Sequence, residues 1–287
     1  MKRVFVIGGA AVDITGRPDS ICRLRDSNLG SVTMSVGGVG HNIARRLVNY
    51  PIETELVTAV GCGYHAELVT EDCQKSGIRT SHTLVCKDAH TGVFLCILDD
   101  EGDLLSGISD MAILRRLTPA YLAGLLPEIN AADMAVLDGN LEPETLAYLT
   151  QSLTVPVFYD PVSCAKAKRI GDNIGRCYAI KPNRFEAGFL SGKSCDTIRG
   201  VYRAGDWFIE QGVQRVFISL AEEGVYWADK NACGVLPSLC ETVVNTTGAG
   251  DAMCAAIIQG CLDGLSAEEC ATEGSLASAR VCEGAAK

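Results

Sequence analysis

The sequence has few basic residues relative to acidic ones, few aromatic side chains and no long apolar run. Its 287 residues include 25 Lys and Arg against 35 Asp and Glu, a formal net charge of −10, and 6% aromatic residues. Because nucleic acids and anionic membranes bind basic surfaces, this charge excludes both as main partners. No apolar run reaches the roughly 18 residues of a membrane-spanning helix, and Asp13 interrupts the N-terminal run that otherwise resembles a signal peptide. We therefore expect a cytoplasmic protein with a small-molecule partner.

Several common site patterns are missing as well. The 14 cysteines are scattered from Cys22 to Cys282 with no CxxC pair, which argues against a disulfide framework or a zinc site and predicts reduced core thiols. The four histidines have no spacing that suggests a metal triad. Residues 8–13 lack the GxGxxG dinucleotide fingerprint. Residues 188–194 have three residues between their glycines where a P-loop needs four, which excludes that motif too.

Short β-rich apolar runs alternate with helical patterns along most of the chain. Strands are predicted at residues 3–8, 54–60, 133–138, 155–160, 177–180 and 215–220. Helices are predicted at 39–50, 66–76, 119–126, 143–152, 184–190, 198–211, 249–262 and 267–282. This alternation predicts an α/β fold with a mostly parallel sheet between two layers of helices. Segments 14–35 and 91–108 predict strands without helices, and we expect them to form a small β-sheet lid on a single domain spanning 1–287.

The most informative segment is residues 245–252, Asn-Thr-Thr-Gly-Ala-Gly-Asp-Ala, which precedes an apolar helix. Small residues let a ligand approach the backbone, and a helix N-terminus supplies free amides and a positive dipole end, so the segment suits an anion. Asp251 would repel an anion, but it could take the proton of a hydroxyl that attacks one, which suggests phosphoryl transfer to an alcohol. The alternative is a core helix that an Asp caps after a glycine turn.

A second glycine segment, residues 37–44 (Gly-Gly-Val-Gly-His-Asn-Ile-Ala), also precedes a helix. Asn42 would present a donor and an acceptor there, although an ordinary turn is the simpler interpretation. Together the two segments resemble the paired motifs of the PfkB (ribokinase-like) carbohydrate and nucleoside kinases. Asn183 and Glu186 match the Asn-x-x-Glu element of that family. The resemblance covers nearly the whole chain.

The resemblance implies a Rossmann-like α/β body with a β-sheet lid, and an enzyme that uses ATP, Mg²⁺ and a monovalent cation. It implies that Asp251 is the catalytic base and that the amides of Gly248, Ala249 and Gly250 form an anion hole. Asn183 and Glu186 would organise Mg²⁺ and the ATP phosphates, largely through water. The implied ATP-binding residues are Asn183, Ser219, Ala221, Gly224, Thr246, Gly248 and Gly250. Members of the family often pair their lids, which implies a homodimer.

Within the family, the resemblance is strongest to the pseudouridine kinases, through residues 26–30 (Asp-Ser-Asn-Leu-Gly), 109–111 (Ser-Asp-Met) and 160–163. The implied substrate-binding residues are Asp13, Ser27, Asn28, Gly37, Gly38, Asn42, Asp110 and Met111. Polar lid side chains would read a uracil edge. The implied reaction moves the γ-phosphate of ATP to the 5′-hydroxyl of pseudouridine. The alternatives are a kinase for another sugar or nucleoside (ribose, fructose or adenosine) and a non-catalytic regulator that binds nucleotide or sugar.

Three departures from the family pattern carry expectations of their own. Ala11 stands where members often have Asn, which predicts one sugar contact fewer. Ala221 stands where Gly is usual, which predicts a tighter backbone near a phosphate. The chain stops at Lys287, before the family's final helix, which predicts a differently built adenine wall or monovalent-cation site.

Overall fold

The computed structural model describes residues 1–284, which form three sheets of eight, four and two strands. The expectation drawn from the end of the chain at Lys287 therefore lies outside the described residues. The strands are β1 (Lys2–Ile7), β2 (Ala11–Pro18), β3 (Gly30–Gly37), β4 (Ile52–Val57), β5 (Ala59–Val60), β6 (Leu84–Val85), β7 (Gly92–Leu98), β8 (Leu104–Asp110), β9 (Met134–Asp138), β10 (Val157–Asp160), β11 (Ala179–Ile180), β12 (Arg215–Ser219), β13 (Val225–Asp229) and β14 (Cys233–Leu236). The α-helices are α1 (Val39–Leu47), α2 (Tyr64–Ser76), α3 (Pro119–Ala123), α4 (Leu126–Ile129), α5 (Pro143–Ser152), α6 (Cys164–Ala167), α7 (Arg184–Ser191), α8 (Ile198–Gln211), α9 (Ala249–Leu262) and α10 (Ala267–Cys282). Short 3-10 helices cover Ala112–Arg116, Lys168–Arg176 and Ala221–Glu223.

The large sheet has the strand order β14-β13-β12-β11-β10-β9-β1-β4. The strands from β12 to β4 are parallel, and β13 and β14 add an antiparallel hairpin at one edge. Side chains alternate across it: in β1, Val4 and Val6 contribute to one buried cluster, whereas Phe5 and Ile7 contribute to the other. Helices α1, α2, α9 and α10 cover the first face, and α5 and α8 cover the second. The predicted α/β fold with a doubly covered, mostly parallel sheet is confirmed.

Several element boundaries differ from those predicted. Thr58 separates β4 from β5 where a single strand was predicted. The helix predicted at 119–126 is two short helices, and the hairpin of β13 and β14 was not predicted. In contrast, α9 and α10 have the predicted bounds. Ser266 and Glu269 form a capping box that starts α10, a local signal that fixes the boundary without help from tertiary structure.

The carboxyl ends of the parallel strands create the main crevice of the molecule. Strand β1 pairs with β4 on one side and with β9 on the other, so the chain connections leave β1 in opposite directions. Such a switch point opens a crevice at the carboxyl ends of the strands. The buried Asp138, at the end of β9, accepts hydrogen bonds there from the amides of Gly9 (2.8 Å) and Gly40 (2.9 Å). It thereby ties β9, the end of β1 and the start of α1 together.

A four-stranded sheet with the order β3-β2-β7-β8 stands beside this crevice. Its strands lie within segments 14–35 and 91–108 or extend a few residues beyond them, and residues 19–29 between β2 and β3 have no regular structure. Asp13 pairs with Ser35 and with Phe94 on one face. None of the helices in residues 1–284 combines the length and the apolar character that a membrane crossing requires.

Candidate functional site

A cavity of about 490 Å³ opens between the four-stranded sheet, α1 and the start of α9. Its lining includes Asp13 from β2, Asn42 from α1, and Gly248 and Asp251 from the start of α9. These four residues were predicted from segments that are far apart in the sequence. The fold therefore brings the two glycine motifs and Asp13 to one place.

The start of α9 offers free backbone amides to this cavity. Gly248 precedes the helix in a left-handed conformation with φ of 80°, which a glycine adopts without strain. The amides of Gly248 and Gly250 have no acceptor among residues 1–284, whereas the amide of Ala249 donates to the Thr246 carbonyl oxygen at 3.2 Å. Of the three amides expected to line an anion hole, two are thus available. With the helix dipole behind them, they suit a negatively charged group.

Asp251, in the first turn of α9, has an unusual acidity. Burial, and next the negative charge of Asp160, raise the pKa of Asp251 to about 6, although Asn42, Lys181 and Arg46 act in the opposite direction. The Asn42 amide donates to its Oδ2 at 3.0 Å. A carboxyl group with a pKa near the operating pH is well suited to accept a proton.

Asn42 is itself held by a pair of residues behind it. His41 is fully buried, with Nδ1 3.2 Å from Asn42 Oδ1 and Nε2 2.8 Å from Asp72 Oδ2. Both ring nitrogens therefore face side-chain oxygens, which fixes the orientation of the His41 ring. Four side chains from Asp72 on α2 to Asp251 on α9 form one hydrogen-bonded chain. No local pattern connects Asp72 with the glycine motif, because strands β4 and β5 lie between them in the chain.

Asp13 faces the same cavity from β2. Burial raises the pKa of Asp13 to about 6, and the neighbouring His41 opposes the shift. A Cβ on Gly37 would contact the Asp13 carboxylate, and a Cβ on Gly38 (φ 92°) would lie 2.6 Å from the Gly9 carbonyl oxygen. Glycine is therefore required at both positions to leave room for this carboxylate and for the turn into α1.

Two cations near the start of α9 were not predicted from sequence. Arg46 lines the cavity, and its Nη2 lies 3.5 Å from where a Cβ on Gly248 would stand. It forms no salt bridge with any residue in 1–284. Lys181 is buried, with Nζ 3.6 Å from Asp160 Oδ2 and 3.6 Å from where a Cβ on Gly250 would stand. The only sequence signal for Lys181 is its position two residues before Asn183.

Asn183 and Glu186 form a capping box at the start of α7. The Asn183 side chain accepts from the amides of Phe185 and Glu186 at 2.9 Å, and Glu186 Oε2 accepts from the Asn183 amide at 2.8 Å. Burial, and next Asp160, raise the pKa of the Glu186 carboxyl group. Both side chains thus have a structural role at the start of α7, in addition to the role that the family resemblance implies.

The turn after β12 lies beside this box, because Asn183 and Ser219 form an isolated bridge between parallel segments. Ala221 adopts φ of 54°, a left-handed conformation that is strained for a residue with a Cβ. Gly224 has φ of 102°, and a Cβ there would meet the Leu236 carbonyl oxygen. The Ala221 departure thus falls at a position that favours glycine.

Other predicted residues lie outside the lining of the cavity. Ser27 and Asn28 belong to the exposed segment 19–29, and Asn28 bonds to the backbone of Arg23. Asp110 is exposed at the end of β8. The Met111 side chain lies 2.5 Å from where a Cβ on Gly9 would stand and 2.8 Å from where a Cβ on Gly92 would stand. Thr246 is exposed in the loop before α9. Within residues 1–284, the structure does not bring Ser27, Asn28 or Asp110 into the cavity.

Comparison with known proteins decides the family. The sequence matches the pfkB family carbohydrate kinase description over residues 1–286. The chain belongs to the pfkB family. This pfkB-family kinase is a phosphotransferase that acts on an alcohol group of a sugar or nucleoside.

Individual relatives are similar to the kinase over most of their length. It is 34% identical to a pseudouridine kinase of Escherichia coli, covering 91% of this chain and 84% of that protein. It is 25% identical to a guanosine-inosine kinase of Exiguobacterium acetylicum, covering 98% and 94%. A ribokinase of Arabidopsis thaliana, solved with ribose and ATP, superposes with a TM-score of 0.84 at 21% identity, covering 98% and 92%. The last likeness establishes the ribokinase-like fold.

Proposed function

We propose that this kinase transfers the γ-phosphoryl group of ATP to the 5′-hydroxyl of pseudouridine, giving pseudouridine 5′-phosphate and ADP. The observation that carries the proposal is the position of Asp251, in the first turn of α9 beside the free amides of Gly248 and Gly250 and across one cavity from Asp13. Phosphoryl transfer to an alcohol needs a base next to a site for the transferred anion, and this arrangement supplies both.

Each group of site residues has its own role in the proposed reaction. Asp251 takes the proton of the attacking hydroxyl, and its raised pKa lets it do so near neutral pH. The Gly248 and Gly250 amides stabilise charge on the transferred group, and Arg46 adds a positive charge beside them. Asp13 and Asn42 hold sugar hydroxyls and orient the acceptor.

Mg²⁺ fits this site through water more readily than through direct ligands. The Asn183 side-chain oxygen is occupied by two backbone amides, and one Glu186 oxygen by a third. The other Glu186 oxygen is left to hold a metal-bound water, which suits an ion that keeps several waters and binds mainly to nucleotide phosphates. When bound with ATP, Mg²⁺ neutralises charge on those phosphates. The monovalent cation remains a prediction from the family resemblance.

We assign the nucleotide to the segments before α7 and after β12. Asn183 is bridged to Ser219, Ala221 and Gly224 follow Ser219 in the same turn, and Lys181 Nζ lies 3.6 Å from where a Cβ on Gly250 would stand. The short distance between Lys181 and Gly250 supports a triphosphate whose last phosphate reaches the free amides at the start of α9. The ATP bound by the Arabidopsis thaliana ribokinase supports ATP as the donor.

The choice of acceptor rests on the relatives and on the motifs of the small sheet. The identity of 34% with a pseudouridine kinase supports pseudouridine, whereas the guanosine-inosine kinase supports a purine nucleoside as the second candidate. Ser27, Asn28 and Asp110 are exposed and do not belong to the lining of the cavity. Base recognition by these side chains therefore requires the small sheet and segment 19–29 to close over the bound nucleoside as a lid.

A substrate panel tests the proposal. ADP release is measured with pseudouridine, uridine, adenosine, inosine, ribose and fructose, each at saturating ATP and Mg²⁺. We expect the highest kcat/KM with pseudouridine. A preference for inosine would favour the second candidate, and ATP binding without turnover of any acceptor would favour a regulator.

The Asp251→Asn variant tests the role of the base. Because the amide cannot accept the proton, we expect turnover to fall by at least about a hundredfold, with ATP binding retained in calorimetry. Asp263→Asn is the matched control, since Asp263 is exposed at the other end of α9. Near-normal turnover of Asp251→Asn would contradict the assignment.

A further inference from the structure

Arg215, the first residue of β12, is a partly buried cation without a carboxylate partner among residues 1–284. Asp229 lies opposite it in the strand pairing, but Asp229 Oδ1 accepts from the amides of Asn231 and Ala232 instead. The guanidinium lies over the Tyr178 ring, 5.4 Å from its centroid. A guanidinium that is withdrawn from water needs acceptors, and it cannot lose its charge.

Two sulfur atoms supply those contacts. Arg215 Nη1 lies 3.5 Å from Cys261 Sγ and 3.4 Å from Cys270 Sγ, and the two sulfurs are 4.0 Å apart. Cys261 lies near the end of α9 and Cys270 in the first turns of α10, so the short turn between these helices brings them together. A disulfide has a sulfur separation of about 2 Å, so a bridge between these cysteines requires their sulfurs to approach further.

Of the two cysteines, Cys261 is the one that carries the negative charge opposite Arg215, as a thiolate. Cys270 is fully buried, whereas Cys261 is partly exposed, and a charged sulfur is less costly where water reaches it. A hydrogen bond from the Cys270 thiol, and next the Arg215 guanidinium, lower the pKa of Cys261, while the pKa of Cys270 is raised. Burial instead raises the pKa of Cys73 and of Cys177 to about 12. Cys261 therefore differs from the ordinary core thiols of this protein.

We infer that Cys261 and Cys270 form a reactive dithiol, in which a Cys261 thiolate attacks low-molecular-weight disulfides and Cys270 then closes a reversible Cys261–Cys270 bridge. A cavity of about 510 Å³ lies next to the Arg215 and Tyr178 side chains that contact Cys261, although neither cysteine lines it, and it gives a small anionic disulfide room to approach. Its lining contains Arg215 and Lys230 against the single acidic residue Asp229, and this net positive charge favours such a reagent.

The reaction balances in two exchanges. The Cys261 thiolate attacks one sulfur of the small disulfide, the new sulfur–sulfur bond forms, and one small thiolate leaves. Cys270 then loses its proton to solvent and attacks Cys261 Sγ, which breaks the mixed disulfide and releases the second small thiolate. The protein loses two electrons and the small disulfide gains them, with both released thiolates taking up protons according to pH.

Oxidised glutathione serves as the probe for the first test. The reduced kinase is incubated with it at pH 7, quenched with acid and alkylated, and its peptides are analysed by mass spectrometry. We expect the Cys261–Cys270 bridge to be the first product. Cys270→Ser should stop at a glutathione adduct on Cys261, and Cys261→Ser should leave Cys270 as a free thiol. Bridging or glutathione adducts at other cysteines, with both of these left as thiols, would overturn the inference.

The pH dependence of alkylation separates thiolate character from access. Iodoacetamide labelling of Cys261 is followed from pH 5 to 10 in the folded kinase and in the urea-unfolded chain, and the half-maximal rate should come at lower pH in the folded protein. The groups that face Cys261 are Arg215, Tyr178 and Cys270. Arg215→Gln should slow labelling about tenfold at pH 6.5, and Arg215→Lys should slow it less. Arg203→Gln, an exposed position on α8, is the control. The same half-maximal pH in both states of the wild-type chain would refute the thiolate even if Arg215→Gln fails to fold.

Discussion

Two carboxyl groups on opposite sides of the cavity, Asp13 and Asp251, combine partial burial with pKa values of about 6. Desolvation is the largest cause for both, so their acidity is a property of the folded state and not of the residue type. In the proposed reaction Asp251 must be ionised to accept a proton, and Asp13 must be ionised to accept hydrogen bonds from hydroxyls. Both requirements fall in the same pH range.

We expect log kcat/KM of the wild-type kinase to rise with a slope approaching 2 below about pH 6 and to level off above it, because two groups ionise there. Asp13→Asn should reduce this slope to about 1. The measurement is a pH–rate profile from pH 4.5 to 8. A slope of 1 in the wild type would contradict the joint requirement.

As the pH rises from about 4 to 6, the activity of the kinase should increase and its free energy of unfolding should decrease. A carboxyl group whose pKa is raised in the folded state stabilises the fold below its unfolded value of 3.8, and this contribution is lost as the pH rises through about 6. The Asp251→Asn variant has no carboxyl group to ionise at this position and so does not lose this stability. The difference in free energy of unfolding between the variant and the wild type should therefore increase between pH 4 and 6. Urea titrations at each pH measure this difference. A constant difference would mean that Asp251 is not desolvated.

Arg46 is a second feature at the scale of single residues. It is a partly buried cation beside Gly248, without a salt bridge in the described chain, and the transferred phosphoryl group would supply its missing counter-ion. We expect Arg46→Gln to lower kcat by about a hundredfold, with a smaller change in the KM for ATP and partial recovery in Arg46→Lys. Steady-state kinetics check this. Arg280→Gln, which removes an exposed arginine on α10, should remain close to wild type. Equal effects of the two substitutions would indicate a general loss of charge.

At the scale of elements, the start of α1 is held from behind by α2. Asp72 on α2 bonds His41, His41 bonds Asn42, and Asn42 bonds Asp251 on α9. The proton on His41 Nδ1 fixes the Asn42 amide so that its NH₂ group faces the carboxylate. Two helices and the start of a third are thereby connected through side chains alone.

We expect Asp72→Asn to lower kcat about tenfold, because His41 loses the carboxylate that holds its ring in place behind Asn42, and a hydrogen bond to a charged group is worth about 1.5 kcal/mol or more. Nitrogen-15 spectra of labelled histidine should show the His41 Nε2 resonance displaced in Asp72→Asn, because this nitrogen loses its carboxylate partner. Glu71→Gln is the matched control on the same helix, since it breaks only the exposed ion pair with Lys75. Identical kcat values and spectra in both variants would contradict the connection.

At the scale of the whole molecule, the four-stranded sheet presents an apolar row to its surroundings. Met34, Leu95 and Ile108 are aligned across the strands by their pairing with Ile14 and with one another, and Val32 and Ile97 follow in the next row. Their exposed fractions are between 43% and 72%. An exposed apolar face of this kind fits the homodimer through paired lids that the family resemblance implies.

We expect sedimentation equilibrium to give twice the chain mass of 30.4 kDa for the wild type. The double variant Val32→Ser, Ile108→Ser should dissociate, because it removes two exposed apolar side chains from the face. Thr33→Ala changes the neighbouring residue, whose side chain points to the other face, and should leave the mass unchanged. A wild-type monomer at micromolar concentration would contradict the proposed dimer.

The alternation of strands and helices, and the capping boxes of α7 and α10, could be derived from sequence, because each depends on residues a few positions apart. The hairpin of β13 and β14 could not be derived in the same way, since its strands are short and their pairing depends on the edge of a sheet built from other segments. The glycine motifs were recognisable as well, because Gly37, Gly38 and Gly248 are required by local backbone geometry and close contacts.

The sequence by itself determined the layer architecture and identified Asp251 and Asn42 as candidate site residues, because periodicity and motif spacing are local properties of the chain. Asp13 became a candidate only through the family resemblance. The tertiary structure alone decided that Asp72 and His41 stand behind Asn42, that Arg46 faces the start of α9, and that Arg215 joins Cys261 to Cys270. It also decided the acidity of Asp13 and Asp251, which comes from burial. Contacts between distant segments and the exclusion of water arise only when the chain is folded, so no pattern along the sequence records them.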